Sequence, residues 1–247
     1  MGRVVFIGAG PGAADLITVR GASRLAEADV VLYDALTDAA LQDLAPKAIW
    51  HHVGKRGFRP DSTDQLEINE LLVRYAASHA CVVRLKGGDP SIFGRLEEEL
   101  EALVQAGIAF EVVPGVTSAL AAAADAGRPL TRRGSGRSLS LTTAMTRTGD
   151  MFATRTADTE VFYMAGRQLA ALATRLMDAG WPPEAPVSVV SRAGWPDRRH
   201  SEHTVASLPD ASDVHADRPA VVVVGAGAAA LPSPPVNPDT AAGPGPG

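Results

Sequence analysis

Short apolar runs rich in β-branched residues recur through the first half of the chain. Such runs, bounded by glycine, proline or polar turn residues, are typical of buried strands. They predict strands at Arg3 to Ile7, Asp29 to Tyr33, Ile49 to Val53, Cys81 to Leu85 and Phe110 to Val113.

Helical patterns separate these strands. The first begins near Asp15 and carries apolar residues at Leu16, Val19, Ala22 and Leu25. A second places Leu66, Asn69, Leu72, Val73 and Ala76 on one side, and a third runs from Leu96 to Ala106. We interpret the acids of the third helix, Glu97, Glu98, Glu99 and Glu101, as a solvated face. Alternating strands and helices predict an α/β domain with a parallel sheet.

The pattern changes after Pro114. An alanine-rich helix from Val116 to Ala126 is followed by strand-like runs with fewer helices between them, which predicts a second, mixed sheet. These runs are Ser138 to Thr143, Val161 to Met164, Val187 to Ser191, His203 to Val205 and Ala220 to Val224. We therefore expect two α/β domains, at 1–114 and 115–231, and a disordered tail rich in proline and glycine at 232–247.

Composition narrows the class of protein. The 247 residues carry a net charge of −5, so that no global basic field indicates nucleic acid. No apolar run approaches the roughly 20 residues of a membrane span, and no signal segment opens the chain. Cys81 is the single cysteine, which excludes an internal disulfide and favours a reducing, cytoplasmic setting. The adjacent His51 and His52 would point to opposite faces of a strand, so the histidines predict no metal site.

Two glycine loops follow predicted strands. Lys86, Gly87, Gly88, Asp89 and Pro90 form a turn in which a ligand could lie against the main chain. Such loops at the carboxyl ends of parallel strands are where open α/β sheets bind ligands, although a simple strand-to-helix turn is the alternative. The loop after the first strand reads GAGPG, which differs from the dinucleotide pattern GxGxxG.

Asp34 directly follows the second strand. From its position it has three interpretations: a catalytic carboxylate, a ribose-binding residue, or a helix cap before Leu36.

Ordered motifs carry a resemblance across residues 3 to 226. They are VVFIGAGPGAADLIT, ADVVLYDAL, VGKRG, QLEINELLV, VVRLKGGDPSIFGR, FEVVPGVTSA, RPLTRR and VFYMAG. In this order and spacing the chain resembles the tetrapyrrole methylase family. The resemblance implies two α/β domains with an active cleft between them, a homodimer, and S-adenosyl-methionine as the methyl donor. The motifs RLKGGDP and VGKR resemble the branch that methylates uroporphyrinogen III to precorrin-2 for sirohaem and cobalamin.

The resemblance also assigns residues. Asp34 matches the family's proposed proton acceptor and Lys55 its proposed proton donor. Residues that match the cofactor site are Pro11, Gly87, Gly88, Asp89, Ile92, Thr117, Ser118, Met164 and Gly194. Because the substrate carries many carboxylates, Arg56, Arg132 and Arg133 are candidates to pair with them, and a solvated surface role is the alternative for each.

Three alternatives remain open for the function. Differences from the common family pattern at Ser91, Leu96, Arg132 and Ala144 leave room for a different precorrin-type substrate. A non-catalytic relative that only binds S-adenosyl-methionine would be expected to have lost Asp34 or Lys55, and both are present. A dinucleotide oxidoreductase would need GxGxxG at its first helix.

Overall fold

The first half of the chain builds a five-stranded parallel sheet. A computed structural model describes residues 1–54, 65–145 and 151–231. The sheet has the strand order β3-β2-β4-β1-β5, and all of its neighbouring strands are parallel, as predicted. The strands are β1 Arg3–Gly8, β2 Val30–Tyr33, β3 Ile49–His52, β4 Cys81–Lys86 and β5 Ala109–Val113.

Helices cover both faces of this sheet. The helices are α1 Val19–Leu25, α2 Gln65–Ser78 and α3 Leu96–Gln105. Alternate residues of a strand point to opposite faces, so Val4 and Phe6 of β1 pack with Leu72 of α2, whereas Ile7 packs with Leu25 of α1. β4 is buried along its whole length at the centre of this three-layer arrangement.

The second half contains a five-stranded mixed sheet of order β6-β7-β10-β8-β9. β6 and β7 are parallel, and the other neighbours are antiparallel. The elements are α4 Ser118–Asp125, β6 Leu139–Thr143, β7 Thr159–Tyr163, α5 Leu169–Asp178, β8 Pro186–Ser191, β9 Arg199–Thr204, α6 Ser212–His215 and β10 Ala220–Gly225. One face packs with α5, and the other packs with α4 and with Ile92 from the first half.

Several local predictions were wrong. β9 extends over Arg199–Thr204, earlier than the predicted run at His203 to Val205. Thr18 caps α1 by accepting a hydrogen bond from the Gly21 amide at 3.0 Å, so that Val19 lies in the first turn and is 90% exposed. Leu66 is exposed as well, because the buried face of α2 begins one residue earlier, at Gln65.

The first sheet ends at Val113 and the second begins at Leu139, with α4 between them. The domain limits at 1–114 and 115–231 stay a prediction. The predicted tail lies outside the described residues.

Candidate active site

The carboxyl ends of the parallel strands bring the glycine loops together. Gly10, after β1, and Gly88, after β4, form an antiparallel bridge in which the Gly88 amide donates to the Gly10 carbonyl at 2.7 Å. A Cβ atom on Gly115, after β5, would lie 2.3 Å from the Gly88 oxygen and 2.7 Å from the Gly8 Cα. Three loops therefore touch through their main chains, and no side chain fits between them.

The GGDP turn leaves free space on its other side. A Cβ atom on Gly87 would meet only the Leu36 Cβ, at 3.4 Å, and one on Gly88 would meet nothing nearer than Thr117 Cα and Val116 O at 4.0 Å. Gly88 has a φ of 71°, which L side chains rarely adopt. The turn is therefore a main-chain surface that a ligand can approach closely.

Asp89 joins two of these loops. Its Oδ1 accepts a hydrogen bond from the Ser91 amide at 2.8 Å, and its Oδ2 accepts one from the Gly115 amide at 2.9 Å. The carboxylate, which we predicted to bind a ligand, holds the loop after β4 against the loop after β5. A direct ligand contact stays a prediction.

Thr117 and Ser118 lie at the start of α4, facing the second sheet. The Thr117 hydroxyl is 2.7 Å from the phenol oxygen of Tyr163, the last residue of β7. Phe93 packs edge-on against the Tyr163 ring at 5.0 Å between centroids. Burial raises the pKa of Tyr163, and the hydrogen bond with Thr117 opposes that shift. The sequence analysis did not predict a role for Tyr163. The one feature that could have indicated it is its position directly before Met164.

Met164 and Gly194 extend the site from the second half. Met164 follows β7, is 55% exposed and has a φ of 60°, a conformation uncommon for residues other than glycine. Gly194 follows β8, and its φ is 77°. Its carbonyl accepts a hydrogen bond from the Ala13 amide at 2.9 Å, and the Trp195 indole donates to the Pro11 carbonyl at 3.1 Å. The structure thus brings Pro11 and Gly194 together across the two halves.

Asp34 ends up beside a buried arginine. Arg84 Nη2 of β4 donates to Asp34 Oδ1 at 2.7 Å, and the Asp34 side chain is 28% exposed. The Thr37 amide and hydroxyl bind the Asp34 carbonyl oxygen, and the carboxylate of Asp38 caps the following turn. The Asp34 carboxylate is therefore not used as a helix cap.

The helix α3 contains a buried acid that we had interpreted as solvated. Glu99 is fully buried because it shares the inner face of the helix with Leu103, and it pairs with Arg84 at 3.1 Å and Lys86 at 2.9 Å. Arg84 and Lys86 lie two residues apart in an otherwise apolar strand. They could have predicted a buried acid, because buried cations require anionic partners.

Lys55 and Arg56 lie outside the described residues. The residue before them, Gly54, packs tightly after β3, because a Cβ atom there would lie 2.1 Å from the Ala35 amide nitrogen. Gly54 therefore lies directly beside the loop that begins at Asp34.

The structure does not bring Arg132 to the edge that carries Met164. The Arg132 guanidinium donates to the Ala229 and Ala230 carbonyls, and Gly136 of the same turn packs on Ala226. These residues follow β10, whose last residue, Gly225, pairs with the start of β7. Arg133 is exposed in the same turn. Substrate binding by the two arginines stays a prediction.

Two further observations concern metal ligands and membrane-spanning helices. The described residues contain no group of three or more His, Cys, Asp or Glu side chains that could hold a metal ion. Among the described helices, none has the length and apolar character required to cross a bilayer.

Comparison with known proteins assigns the family. The family model for Tetrapyrrole (Corrin/Porphyrin) Methylases matches residues 3–209. The chain belongs to the tetrapyrrole methylase family. It is 41% identical over 230 residues to a siroheme synthase of Neisseria meningitidis serogroup C (strain 053442), and these cover 91% of this chain and 48% of the relative. It is 39% identical over 233 residues to the uroporphyrinogen-III C-methyltransferase of Bacillus subtilis (strain 168), covering 91% of this chain and 48% of that protein.

A solved tetrapyrrole methylase has the same fold. The crystal structure of uroporphyrin-III C-methyl transferase from Thermus thermophilus complexed with S-adenyl homocysteine superposes with a TM-score of 0.79 at 37% identity. The match covers 91% of this chain and 98% of that one. The chain spans about half the length of the curated relatives it matches.

Proposed function

We propose that this chain is an S-adenosyl-methionine-dependent C-methyltransferase that converts uroporphyrinogen III to precorrin-2, for sirohaem or cobalamin synthesis. The observation that carries the proposal is the open main-chain turn at Gly87 and Gly88, which lies beside the loop that begins at Asp34. Similarity to a uroporphyrin-III C-methyl transferase that binds S-adenyl homocysteine supports the same assignment.

The residues fit the cofactor. Gly87 and Gly88 leave room next to the main chain, where the methionine portion of the cofactor can bind to amide and carbonyl groups. Pro11, Ile92, Thr117, Ser118, Met164 and Gly194 complete the set that we assign to cofactor binding. When bound, S-adenosyl-methionine supplies a methyl group that its sulfonium has already activated.

The protein's own contribution is orientation and proton removal. Holding a nucleophilic pyrrole-derived carbon in line with the methyl group converts a bimolecular encounter into an oriented reaction. With the cofactor bound, the new carbon–carbon bond would form as the carbon–sulfur bond breaks, and the substrate would then lose a proton. Asp34 is the carboxylate that we assign to stabilise the positive ring and accept that proton, and Lys55 is the proposed proton donor.

The test is a reaction of the purified chain with uroporphyrinogen III and S-adenosyl-methionine, followed by mass spectrometry. We expect methyl additions to the tetrapyrrole and equimolar release of S-adenosyl-homocysteine. A control reaction contains an excess of S-adenosyl-homocysteine and should be slowed. Methylation of a later precorrin but not of uroporphyrinogen III would replace the proposed substrate. Cofactor binding without methylation of any tetrapyrrole would favour a non-catalytic relative.

We also propose that the chain acts as a cytoplasmic homodimer of two-domain subunits. The family resemblance supports this, and symmetric dimers are the commonest oligomers of soluble enzymes. Light scattering of the purified chain at micromolar concentration measures its mass, and a monomeric mass would contradict the dimer.

A further inference from the structure

Four charged side chains from the first half of the chain are linked into one continuous row of ion pairs. Asp34 binds Arg84 Nη2 at 2.7 Å, Arg84 Nε binds Glu99 at 3.1 Å, and Lys86 Nζ binds Glu99 at 2.9 Å. The side chains of Arg84, Lys86 and Glu99 are 3%, 4% and 0% exposed. Asp34 is the single member that reaches solvent, and it does so at the carboxyl end of β2.

All three nitrogen atoms of the Arg84 guanidinium have hydrogen-bond partners. Besides Asp34 and Glu99, it donates through Nη1 to the main-chain carbonyls of Leu32 and Leu85 at 3.4 Å and 3.3 Å. A planar guanidinium with its donors engaged in several directions has one orientation. The Asp34 oxygen that it binds is therefore fixed too.

Glu99 is held in turn by a third element. Gln65 of α2 donates to Glu99 Oε1 at 3.2 Å, and Lys86 binds the other oxygen. Burial lowers the pKa of Lys86, the positive charge of Arg84 lowers it further, and Glu99 opposes both effects. Burial also lowers the pKa of Arg84, but Asp34 and Glu99 outweigh it and leave that pKa raised.

Stability alone does not explain this row. Removing two charges from water costs free energy that their mutual attraction often only balances. Well-packed apolar residues commonly stabilise a core equally well. The row runs from the core to one partly exposed carboxylate after the carboxyl end of β2. Within the described parts of the chain, Arg84 is the one side chain that binds this carboxylate, through Oδ1. We assign Oδ2, which accepts no side-chain hydrogen bond from the described residues, to act on the substrate.

We propose that Arg84 is a positioning residue for methyl transfer, which orients the catalytic carboxylate of Asp34, and that Glu99 and Lys86 anchor Arg84. The inference rests on the proposed function, because it gives Asp34 a task in the reaction. Arg84 does not touch the substrate in this arrangement. It acts through Asp34, and Glu99 acts through Arg84.

The test is a double-mutant cycle with Arg84→Met, Asp34→Asn and both changes together. We expect Arg84→Met to lower kcat by about 100-fold, the effect of a small misplacement of a reacting group, with unchanged affinity for S-adenosyl-homocysteine. Because Arg84 acts through Asp34, the double variant should be no slower than Asp34→Asn alone. Effects that multiply in the double variant would overturn the inference.

Arg128→Met is the matched control. Arg128 is a buried arginine of the second half that binds Glu202 and the Ala228 carbonyl. Its replacement also removes a buried cation, but it lies outside the proposed site, so kcat should stay near the wild-type value in the folded protein. Equal losses of kcat in Arg84→Met and Arg128→Met would mean that any buried arginine matters equally, and would overturn the positioning role.

Glu99→Gln keeps the test decisive if Arg84→Met does not fold. It retains the shape of the anchor and removes its charge, so kcat should fall while the affinity for S-adenosyl-homocysteine stays constant. A wild-type kcat in folded Glu99→Gln would overturn the anchoring role. If the wild-type protein methylates no tetrapyrrole, both the proposed function and this inference are contradicted. If the wild type is active and Arg84→Met is equally active, only the inference is contradicted.

Discussion

The main-chain amide of Gly115 donates a hydrogen bond to Oδ2 of Asp89 at 2.9 Å, and this contact ties the loop after β5 to the loop after β4. The same carboxylate accepts from the Ser91 amide through Oδ1. A side chain that looks like a ligand contact in the sequence thus has a structural task of its own. The shape of the GGDP turn depends on it.

Asp89→Asn should therefore weaken both the fold and cofactor binding. An asparagine has one acceptor oxygen, and its amide group would face an N–H donor. We expect a loss of about 1–3 kcal/mol in the free energy of unfolding, typical of an unsatisfied polar group. Urea unfolding measures that loss, and calorimetry with S-adenosyl-homocysteine measures binding. If Asp89→Asn keeps the wild-type stability but loses binding, Asp89 would instead contact the ligand directly.

Gly87→Val and Gly88→Val should both abolish S-adenosyl-homocysteine binding but should differ in stability. A Cβ atom on Gly87 meets only Leu36 at 3.4 Å, so this variant should fold and fill the space that the ligand needs. Gly88 has a φ of 71°, so a branched residue there is also strained and should lower the melting temperature. Calorimetry and thermal unfolding separate the two effects. Unchanged affinity in folded Gly87→Val would contradict the placement of the cofactor.

The alternation of buried runs and helices predicted both sheets and most strand limits to within one or two residues. The sequence could not show where local contacts override periodicity. Thr18 starts α1 by binding the Gly21 amide, and this turns Val19 outward despite its apolar spacing. Glu99 was assigned to a solvated face because three neighbouring acids share its stretch, yet α3 points it at two buried cations.

In the candidate site, too, local motifs could be predicted from the sequence, whereas contacts between distant elements could not. Motifs predicted the loops that meet at the strand ends, since strand order alone brings them to one edge. Tyr163 and Arg84 were missed, because their importance depends on which side chains they meet across elements, at Thr117 and Asp34. The partners of Arg132 could not be read from the sequence either, because they are main-chain carbonyls distant along the chain.

The stability of the second half should fall as the pH is lowered. His215 is fully buried, with ring nitrogens 2.8 Å from the hydroxyls of Ser191 and Ser201. Burial, with the nearby positive charge of His203, lowers its pKa from 6.5 to about 4. The unfolded chain therefore binds a proton more readily than the folded one between these values. Stability is complete above about pH 6.5 and is lost progressively toward pH 4, by up to roughly 3 kcal/mol.

Urea unfolding between pH 4 and pH 7 measures this slope. His215→Gln should be less stable at neutral pH, because it loses hydrogen bonds, but its stability should depend less on pH than that of the wild type. His52→Gln is the control, because His52 is an exposed histidine at the end of β3, in the first half of the chain. A flattened slope in both variants would mean that the effect is not specific to His215. An equal slope in His215→Gln and the wild type would assign the pH dependence to other groups.

Asp34→Asn tests the residue to which we assign proton removal. The change keeps the size of the side chain and removes the charge that pairs with Arg84. Methyl transfer should slow by about 10²- to 10⁴-fold, the range typical of a lost general acid or base, while the affinity for S-adenosyl-homocysteine stays the same. Single-turnover rates and calorimetry on one preparation measure the two quantities.

The opposite result would reverse the assignment of Asp34. A variant that transfers methyl groups at the wild-type rate but binds S-adenosyl-homocysteine weakly would place Asp34 against the ribose of the cofactor. Lys55→Met provides the companion measurement. A lowered kcat would agree with proton donation by Lys55, whereas a raised KM with unchanged kcat would mean that this lysine only pairs with a substrate carboxylate. Together the two variants separate residues that move protons from residues that hold a ligand.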